Sequence, residues 1–158
     1  MGCRVLLVME AGPDRIAIER DLAEAGHECV SVDAAASALE ILYAGNLQCI
    51  VIDESISGRY GLQLARTIKI YNPDVGLILV GDDHKRLSDQ VDGMAIWDTL
   101  PKTCSMSIKE SVGEVCEFVN MPAEQARALC AEFDREATTM RKLGHDALND
   151  TGFYKPLK

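Results

Sequence analysis

Five short apolar segments alternate along the chain with segments of helical periodicity, and this alternation limits its fold more than any other feature. Three of the apolar segments are nearly continuous aliphatic runs, as expected for strands that are covered on both faces of a sheet. Strands that alternate with helices pair in parallel, because parallel neighbours need crossover connections. The sequence predicts strands at 4–9, 29–32, 48–52, 75–81 and 95–100 and helices at 13–25, 35–45, 61–71, 85–91 and 107–119.

The predicted fold class is α/β, a doubly wound five-stranded parallel sheet in the order 2-1-3-4-5. Ligands bind such a sheet at the carboxyl ends of its strands, here strands 1 and 3. Pro122 can open a further helix, and apolar residues recur at helical spacing over 123–148 without a strand partner. We therefore expect a domain of residues 1–120 and a C-terminal helical extension with a mobile tail over residues 121–158.

Composition narrows the classes of function. The 158 residues suffice for one domain with a full core. A net charge of -9 argues against direct nucleic-acid binding. No apolar run approaches the roughly 20 residues that cross a bilayer, so we expect no membrane span and a cytoplasmic location. No Ser–His–Asp or Cys–His grouping and no glycine-rich phosphate loop after strand 1 is visible, so we do not expect an enzyme.

The six cysteines are scattered and include no CxxC pair. We expect reduced thiols that fill a core rather than a disulfide framework. Cys3 and Cys49 are assigned to core strands, and Cys116 to a helix. Each of the three histidines is expected to be an ordinary surface residue; they are His27, His84 and His145.

Strand 3, "QCIVI", is followed at once by Asp53, which places a carboxylate at the carboxyl end of a core strand. Gly61 stands eight residues further on, and "LPK" closes strand 5 with Lys102. With these landmarks, residues 4 to about 119 resemble the receiver domain of two-component response regulators, the CheY-like variant of the flavodoxin fold.

The resemblance implies a specific chemistry. Asp53 would be the phosphoacceptor, taking a phosphoryl group from a histidine kinase or phosphotransfer protein, and Lys102 its charge partner. A Mg²⁺ ion would be held by Asp53, Glu10 and the backbone carbonyl of Ser55. Without the resemblance, Asp53 could be a cap or turn former, Glu10 could face the positive end of helix 1, and Lys102 could be a solvated lysine.

The chain also departs from the family's pattern. Met9 and Glu10 stand where the family has two adjacent acids, and Gly81 replaces the hydroxyl residue that ends strand 4. The next residue is Asp82, which either replaces the missing carboxylate near the metal or repels phosphate. Both alternatives stay open.

Strand 5 differs as well. Thr99 takes the place of the family's aromatic residue, and Thr103 that of the proline after the lysine, so the cis peptide of the family is not expected.

The leading hypothesis is an atypical receiver without a DNA-binding output domain, which acts on a downstream protein partner. The alternative is a phosphorylation-independent pseudo-receiver that serves as an interaction module. A small α/β enzyme or flavoprotein is disfavoured by the missing hydroxyl-rich loop. The C-terminal helix is expected to pack on its own domain or to form a homodimer.

Overall fold

The structure is a computed structural model that describes residues 2–91 and 93–119. Its five strands form one parallel sheet in the predicted order β2-β1-β3-β4-β5. The strands are β1 (Arg4–Val8), β2 (Glu28–Val32), β3 (Cys49–Asp53), β4 (Gly76–Gly81) and β5 (Asp98–Pro101). The helices are α1 (Pro13–Glu24), α2 (Ala35–Ala44), α3 (Ile56–Arg59), α4 (Gly61–Tyr71), α5 (His84–Gln90) and α6 (Ser105–Val119). Over the described residues, no helix combines the length and hydropathy needed to cross a membrane.

The sheet buries both of its faces, which explains the continuous apolar strands. In β1, Leu6 and Val8 pack with residues of α2, α4 and α5 on one face. The alternate residues Val5 and Leu7 pack with residues of α1 and α6 on the other face. All four side chains are fully buried. The period of two in a strand thus divides the core into two layers.

The parallel registers bring the ends of three strands to one edge of the sheet. Asp53 lies opposite Val80 of β4, and Gly81 lies opposite Pro101 of β5. Lys102 follows directly, and its backbone N–H donates to the Gly81 carbonyl at 3.3 Å. The predicted site residues on strands 3, 4 and 5 therefore meet at the carboxyl edge.

Most element boundaries lie within one or two residues of the prediction, and two differences are larger. The short α3 was expected to be loop, and its residues Ser57 and Gly58 indeed have left-handed backbone angles (φ 53° and 75°). β5 begins at Asp98 rather than at residue 95. Ile96 is buried although it precedes the strand, and its N–H donates to the Met94 carbonyl rather than to β4, so its hydrophobicity reflects packing rather than strand pairing. The domain boundary at 120 and the C-terminal helix lie outside the described residues.

Within the described residues the expectation for the cysteines is confirmed in part, since Cys29 and Cys104 are free thiols that are only partly buried, and the expectation for His27 is wrong. Cys3, Cys49 and Cys116 are buried thiols. His27 is partly buried, and its Nδ1 accepts a hydrogen bond from the Cys3 backbone N–H at 3.1 Å. The cause is Gly26, whose left-handed φ of 87° turns the chain after α1 back towards the start of β1. The side chains of His84 and His145 lie outside the described part.

Candidate functional site

Asp53 is the central residue of the carboxyl edge. Its side chain is only 7% exposed, and its Oδ1 accepts hydrogen bonds from the Ser55 N–H at 3.0 Å and the Ser55 hydroxyl at 2.8 Å. Its other oxygen, Oδ2, lies 3.8 Å from the Lys102 ammonium. Asp53 therefore forms the local turn and also has a charge partner, so the two interpretations of this residue are compatible.

Lys102 lies between two carboxylates rather than in open solvent. Its Nζ is 3.8 Å from Asp53 Oδ2 and 3.7 Å from Asp82 Oδ1. Both distances are longer than a hydrogen bond allows, so Lys102 forms ion pairs with the two carboxylates without hydrogen-bonding to them. Asp82 itself is exposed, whereas Asp53 is buried. The ammonium can thus approach an anion bound above Asp53 without a change of backbone.

The loop after β1 contributes fewer carboxylates to the site than the family pattern implies. Met9 is buried in the core layer that contains α1 and α6, and its carbonyl accepts a hydrogen bond from Arg15 at 3.2 Å. Glu10 is exposed and, within the described part of the chain, forms no hydrogen bond or ion pair with Asp53 or Lys102. The first acid of the usual pair is therefore replaced by Met9, whose side chain packs in the core.

Gly61 has a steric role that explains its place eight residues after Asp53. A Cβ at this position would lie 2.5 Å from the Asp53 carbonyl oxygen and 2.5 Å from the Glu54 Cα. The Gly61 N–H also donates to the Glu54 carbonyl at 3.1 Å. Only glycine allows the first turn of α4 to approach the end of β3 this closely.

An ion pair that the sequence did not predict crosses the site. Glu54 Oε1 lies 2.6 Å from a guanidinium nitrogen of Arg86 in α5, and the Glu54 side chain is 15% exposed. Asp83 caps the same helix by accepting from the Arg86 N–H at 3.1 Å. The pair joins residues 32 positions apart, and no local pattern could have indicated it.

This ion pair explains what fills the space beside Gly81. A Cβ on Gly81 would lie 2.9 Å from Leu87 Cδ1 and 3.0 Å from Glu54 Cγ. The missing side chain at 81 therefore leaves no gap, because Leu87 and the stem of Glu54 occupy the region. The hydroxyl that the family pattern places here is replaced by two packed side chains.

In β5, as at Gly81 in β4, a small side chain takes the place of the larger residue that the family pattern has: here it is Thr99. Thr99 is buried, and its N–H donates to Asp98 Oδ1 at 2.9 Å. Asp98 Oδ2 accepts from the Ser111 hydroxyl of α6 at 3.1 Å. The peptide bond between Lys102 and Thr103 is trans, as expected without a proline.

The chemistry of the donor set fits Mg²⁺. The predicted ligands are all oxygens, the donor type that this ion takes: carboxylates of Asp53, Glu10 and Asp82, and the carbonyl of Ser55. The Ser55 carbonyl accepts one hydrogen bond, from Arg59 at 3.2 Å, and keeps a second lone pair. Asp53 and Asp82 share the Lys102 ammonium.

No family model and no curated protein sequence matches the chain. Solved structures do match. The response regulator TrrA of Thermotoga maritima, in complex with Mg²⁺–BeF, is 24% identical with a TM-score of 0.64, and the match covers 72% of this chain and 98% of that one. The signal receiver domain of an HD domain-containing protein of Pseudomonas fluorescens Pf-5 is 17% identical with a TM-score of 0.65, covering 74% and 96%. The fold is therefore that of CheY-like response regulator receiver domains, as predicted.

Proposed function

We propose that this chain is a receiver in phosphorelay signalling that accepts a phosphoryl group on Asp53. The observation that carries the proposal is the buried carboxylate of Asp53 at the end of β3, with the Lys102 ammonium 3.8 Å from its Oδ2. The structure of TrrA, which has the same fold, contains Mg²⁺–BeF. We extend that binding chemistry to this chain, with Asp53 as the anion's attachment point.

The proposed reaction is a simple phosphoryl transfer. An oxygen of Asp53 attacks the phosphorus of a phosphohistidine, the new O–P bond forms as the N–P bond breaks, and the imidazole leaves with the electron pair. The two donors of Ser55 fix the plane of the carboxylate, and Lys102 offsets charge on the phosphoryl oxygens. Bound Mg²⁺ would supply further charge neutralisation.

Two residues weaken the site relative to the family pattern. Gly81 contributes no donor to the phosphoryl group, and Asp82 adds a negative charge next to it. We therefore expect a phosphoryl group or its mimic to bind less tightly here than in a receiver with a hydroxyl at the end of strand 4. This is the sense in which the receiver is atypical.

The proposal assigns the chain two kinds of partner. A histidine kinase or a phosphotransfer protein supplies the phosphoryl group, and a downstream protein responds to the receiver surface. The chemistry of the chain itself is limited to accepting and losing the phosphoryl group, in the cytoplasm where such donors are made.

Intact-mass measurement after incubation with Mg²⁺ and a small phosphodonor tests the proposal. We expect wild type to gain the mass of one phosphoryl group and Asp53→Asn to gain none. Asp33→Asn, which alters an exposed aspartate after β2, is the matched control and should keep the adduct. Absence of the adduct in wild type, or its persistence in Asp53→Asn, would show that Asp53 is not the phosphoacceptor.

A second candidate, a phosphorylation-independent interaction module, is favoured by the packing around Gly81. Glu54 and Leu87 fill the place of the strand-4 hydroxyl, and Thr99 is too small to report a rotation. A ligand shifts an equilibrium only through contacts that differ between two states. Phosphate on Asp53 would then leave the surface of residues 83–105 nearly unchanged.

Backbone amide NMR with and without beryllofluoride distinguishes the two candidates, with Asp53→Asn as control. Shifts confined to the loops around Asp53 support the module, whose partner binding does not depend on phosphate. Large shifts across residues 83–105, absent in Asp53→Asn, would show that the receiver switches through a residue other than those at 81 and 99.

A further inference from the structure

A second cluster of chemically reactive side chains lies at the amino end of the same sheet. One ligand atom each of Cys3, His27 and Cys116 lies within 4.8 Å of both others. Cys3 precedes β1 and Asp53 ends β3, so in a parallel sheet the two groups lie at opposite edges. Cys3 and Cys116 are 6% and 3% exposed, whereas His27 is only partly buried. The cluster therefore reaches solvent through the imidazole.

Main-chain contacts hold this cluster in place. A Cβ on Gly2 would collide with the Gly26 carbonyl oxygen, so the chain before β1 lies directly against the turn after α1. The Cys3 N–H donates to His27 Nδ1 at 3.1 Å, and the Glu28 N–H donates to the Cys3 carbonyl at 3.0 Å. The relative position of Cys3 and His27 is therefore set by backbone, while α6 brings Cys116 from the side.

Two of the three groups, Cys3 and His27, are uncharged before any ligand binds. Burial and a hydrogen bond with the Cys116 thiol raise the pKa of Cys3 to about 12. Burial also raises the pKa of the neighbouring Cys49 thiol. Burial lowers the pKa of His27, so its imidazole is neutral at neutral pH. Neutral imidazole is the form that binds metals, whereas thiols must first lose their protons.

We propose that Cys3, His27 and Cys116 bind a thiophilic d¹⁰ cation, with Zn²⁺ as the type ion. Two sulfurs and one imidazole nitrogen form a common ligand set for Zn²⁺ and leave a fourth position for water or another ligand. Thiolates and imidazole are soft or borderline donors and do not suit Mg²⁺, so this cation differs from the one expected near Asp53. This proposal does not depend on the function of Asp53.

To bind a cation, the three ligand atoms must move slightly closer together. Bond lengths of about 2.3 Å to sulfur and about 2.0 Å to nitrogen place tetrahedral ligand atoms roughly 3.5–3.8 Å apart. The present separations, within 4.8 Å, must therefore close by up to about 1 Å, which small χ1 rotations of the cysteines provide. Whichever ring nitrogen of His27 binds, the hydrogen bond from the Cys3 N–H is lost.

A disulfide between Cys3 and Cys116 is a less direct use of these residues. Both uses require thiolates, but disulfide formation also needs an external oxidant, whereas cation binding needs none. A cation instead exchanges directly for the thiol protons. Once bound, it would join the start of β1, the turn after α1 and the last turns of α6.

The test uses the full chain with Cys29, Cys104 and Cys130 replaced by serine, so that Cys3, Cys49 and Cys116 are the remaining thiols. Zn²⁺ and Co²⁺ are titrated under a non-chelating reductant. We expect one cation per chain, thiolate-to-Co²⁺ charge-transfer absorption and the visible bands of tetrahedral Co²⁺. Calorimetry in buffers of different ionisation enthalpy should show release of about two protons per Zn²⁺.

Ligand variants decide the assignment. His27→Gln and Cys116→Ser should each weaken binding by more than the roughly 10–100-fold that loss of a second-sphere partner causes. His84→Gln and Asp53→Asn should bind as before, which keeps this result separate from the Asp53 chemistry. Because Cys116 is buried, circular dichroism must show that its variant folds; if it does not, His27→Gln decides. Absence of the thiolate bands, or binding that His27→Gln leaves unchanged, overturns the proposal.

Discussion

The two ends of the sheet bury different chemical groups: the carboxyl end buries a carboxylate, and the amino end buries thiols. At the carboxyl end, Asp53 is a buried carboxylate beside the ammonium of Lys102. At the amino end, Cys3 and Cys116 are buried thiols next to a partly buried imidazole. A buried charge is costly unless it is paired and hydrogen-bonded, so the carboxyl end needs Lys102 and the donors of Ser55. Burial raises the pKa of the Cys3 thiol, so this side chain is neutral and packs as a core residue.

The parallel topology produces this contrast. Because all five strands run in one direction, their first residues gather at one edge and their last residues at the other. Main-chain contacts fix both edges through glycines, Gly61 at the carboxyl end and Gly2 with Gly26 at the amino end. The following variants test whether the two ends differ as described.

The largest effect is expected for Gly61→Ala. The added Cβ would meet the backbone of Asp53 and Glu54 at 2.5 Å, and backbone atoms cannot yield as a flexible side chain does. We expect the free energy of unfolding to fall by about 2–3 kcal/mol in urea titrations. Gly113→Ala in α6 is the matched control: no atom lies within 4 Å of its Cβ, and alanine should stabilise the helix by about 0.5–1 kcal/mol. Equal effects of both changes would contradict the steric role of Gly61.

Cys3→Ala tests the neutral state of the amino end. With a chelator present, we expect a loss of about 1–2 kcal/mol at neutral pH from the small cavity. The folded-state pKa of Cys3 is about 12 against an ordinary 9.0. Its contribution to stability is thus complete below pH 9.0 and is lost as the pH rises towards 12. The deficit of the variant should therefore shrink over that window in denaturant titrations, and a constant deficit would refute the buried, protonated thiol.

Arg86→Ala should destabilise the carboxyl end by about 1 kcal/mol, because it leaves the mostly buried carboxylate of Glu54 without its partner. Lys85→Ala, at the exposed neighbouring position, is the control and should stay within about 0.5 kcal/mol of wild type. Added salt should reduce the effect of Arg86→Ala only in part, because Glu54 is mostly shielded from solvent. An effect that disappears at high salt would place the pair on the surface.

The smallest effect is expected for Gly81→Ser. Its Cβ would approach flexible side-chain atoms of Leu87 and Glu54, at 2.9 and 3.0 Å, which can move. We expect a loss below about 1 kcal/mol. In a double-mutant cycle, Glu54→Ala should remove most of that loss by vacating the space, giving a coupling of opposite sign to the two single effects. Strict additivity would show that Glu54 does not occupy the place of the missing hydroxyl.

The sequence predicted those parts of the molecule that depend on local pattern and topology. Continuous apolar runs located β1, β3 and β4, and the parallel order then brought Asp53 and Lys102 to one edge. The start of β5 was placed too early because Ile96 is buried in the connection before the strand, and an apolar residue has the same signature in either setting. Hydrophobicity records burial, and burial does not always mean strand pairing.

Side-chain relations between distant elements were not predictable. Glu54 follows β3 and Arg86 lies in α5, 32 residues further on, so their ion pair depends on how that helix packs against the sheet. Cys116 approaches His27 only through the packing of α6 beside α1. Cysteine counts and spacings gave no sign of this cluster, since its members come from three separate parts of the chain.

The loop between Asp53 and Gly61 has a consequence for how this chain can vary. Hydrogen bonds from Glu54 N–H to the Val80 carbonyl and from Gly61 N–H to the Glu54 carbonyl close the segment at both ends. One inserted or deleted residue would place a side chain where Gly61 now touches the end of β3. Surface loops usually tolerate changes in length. This one does not, so its length is as constrained as a core position.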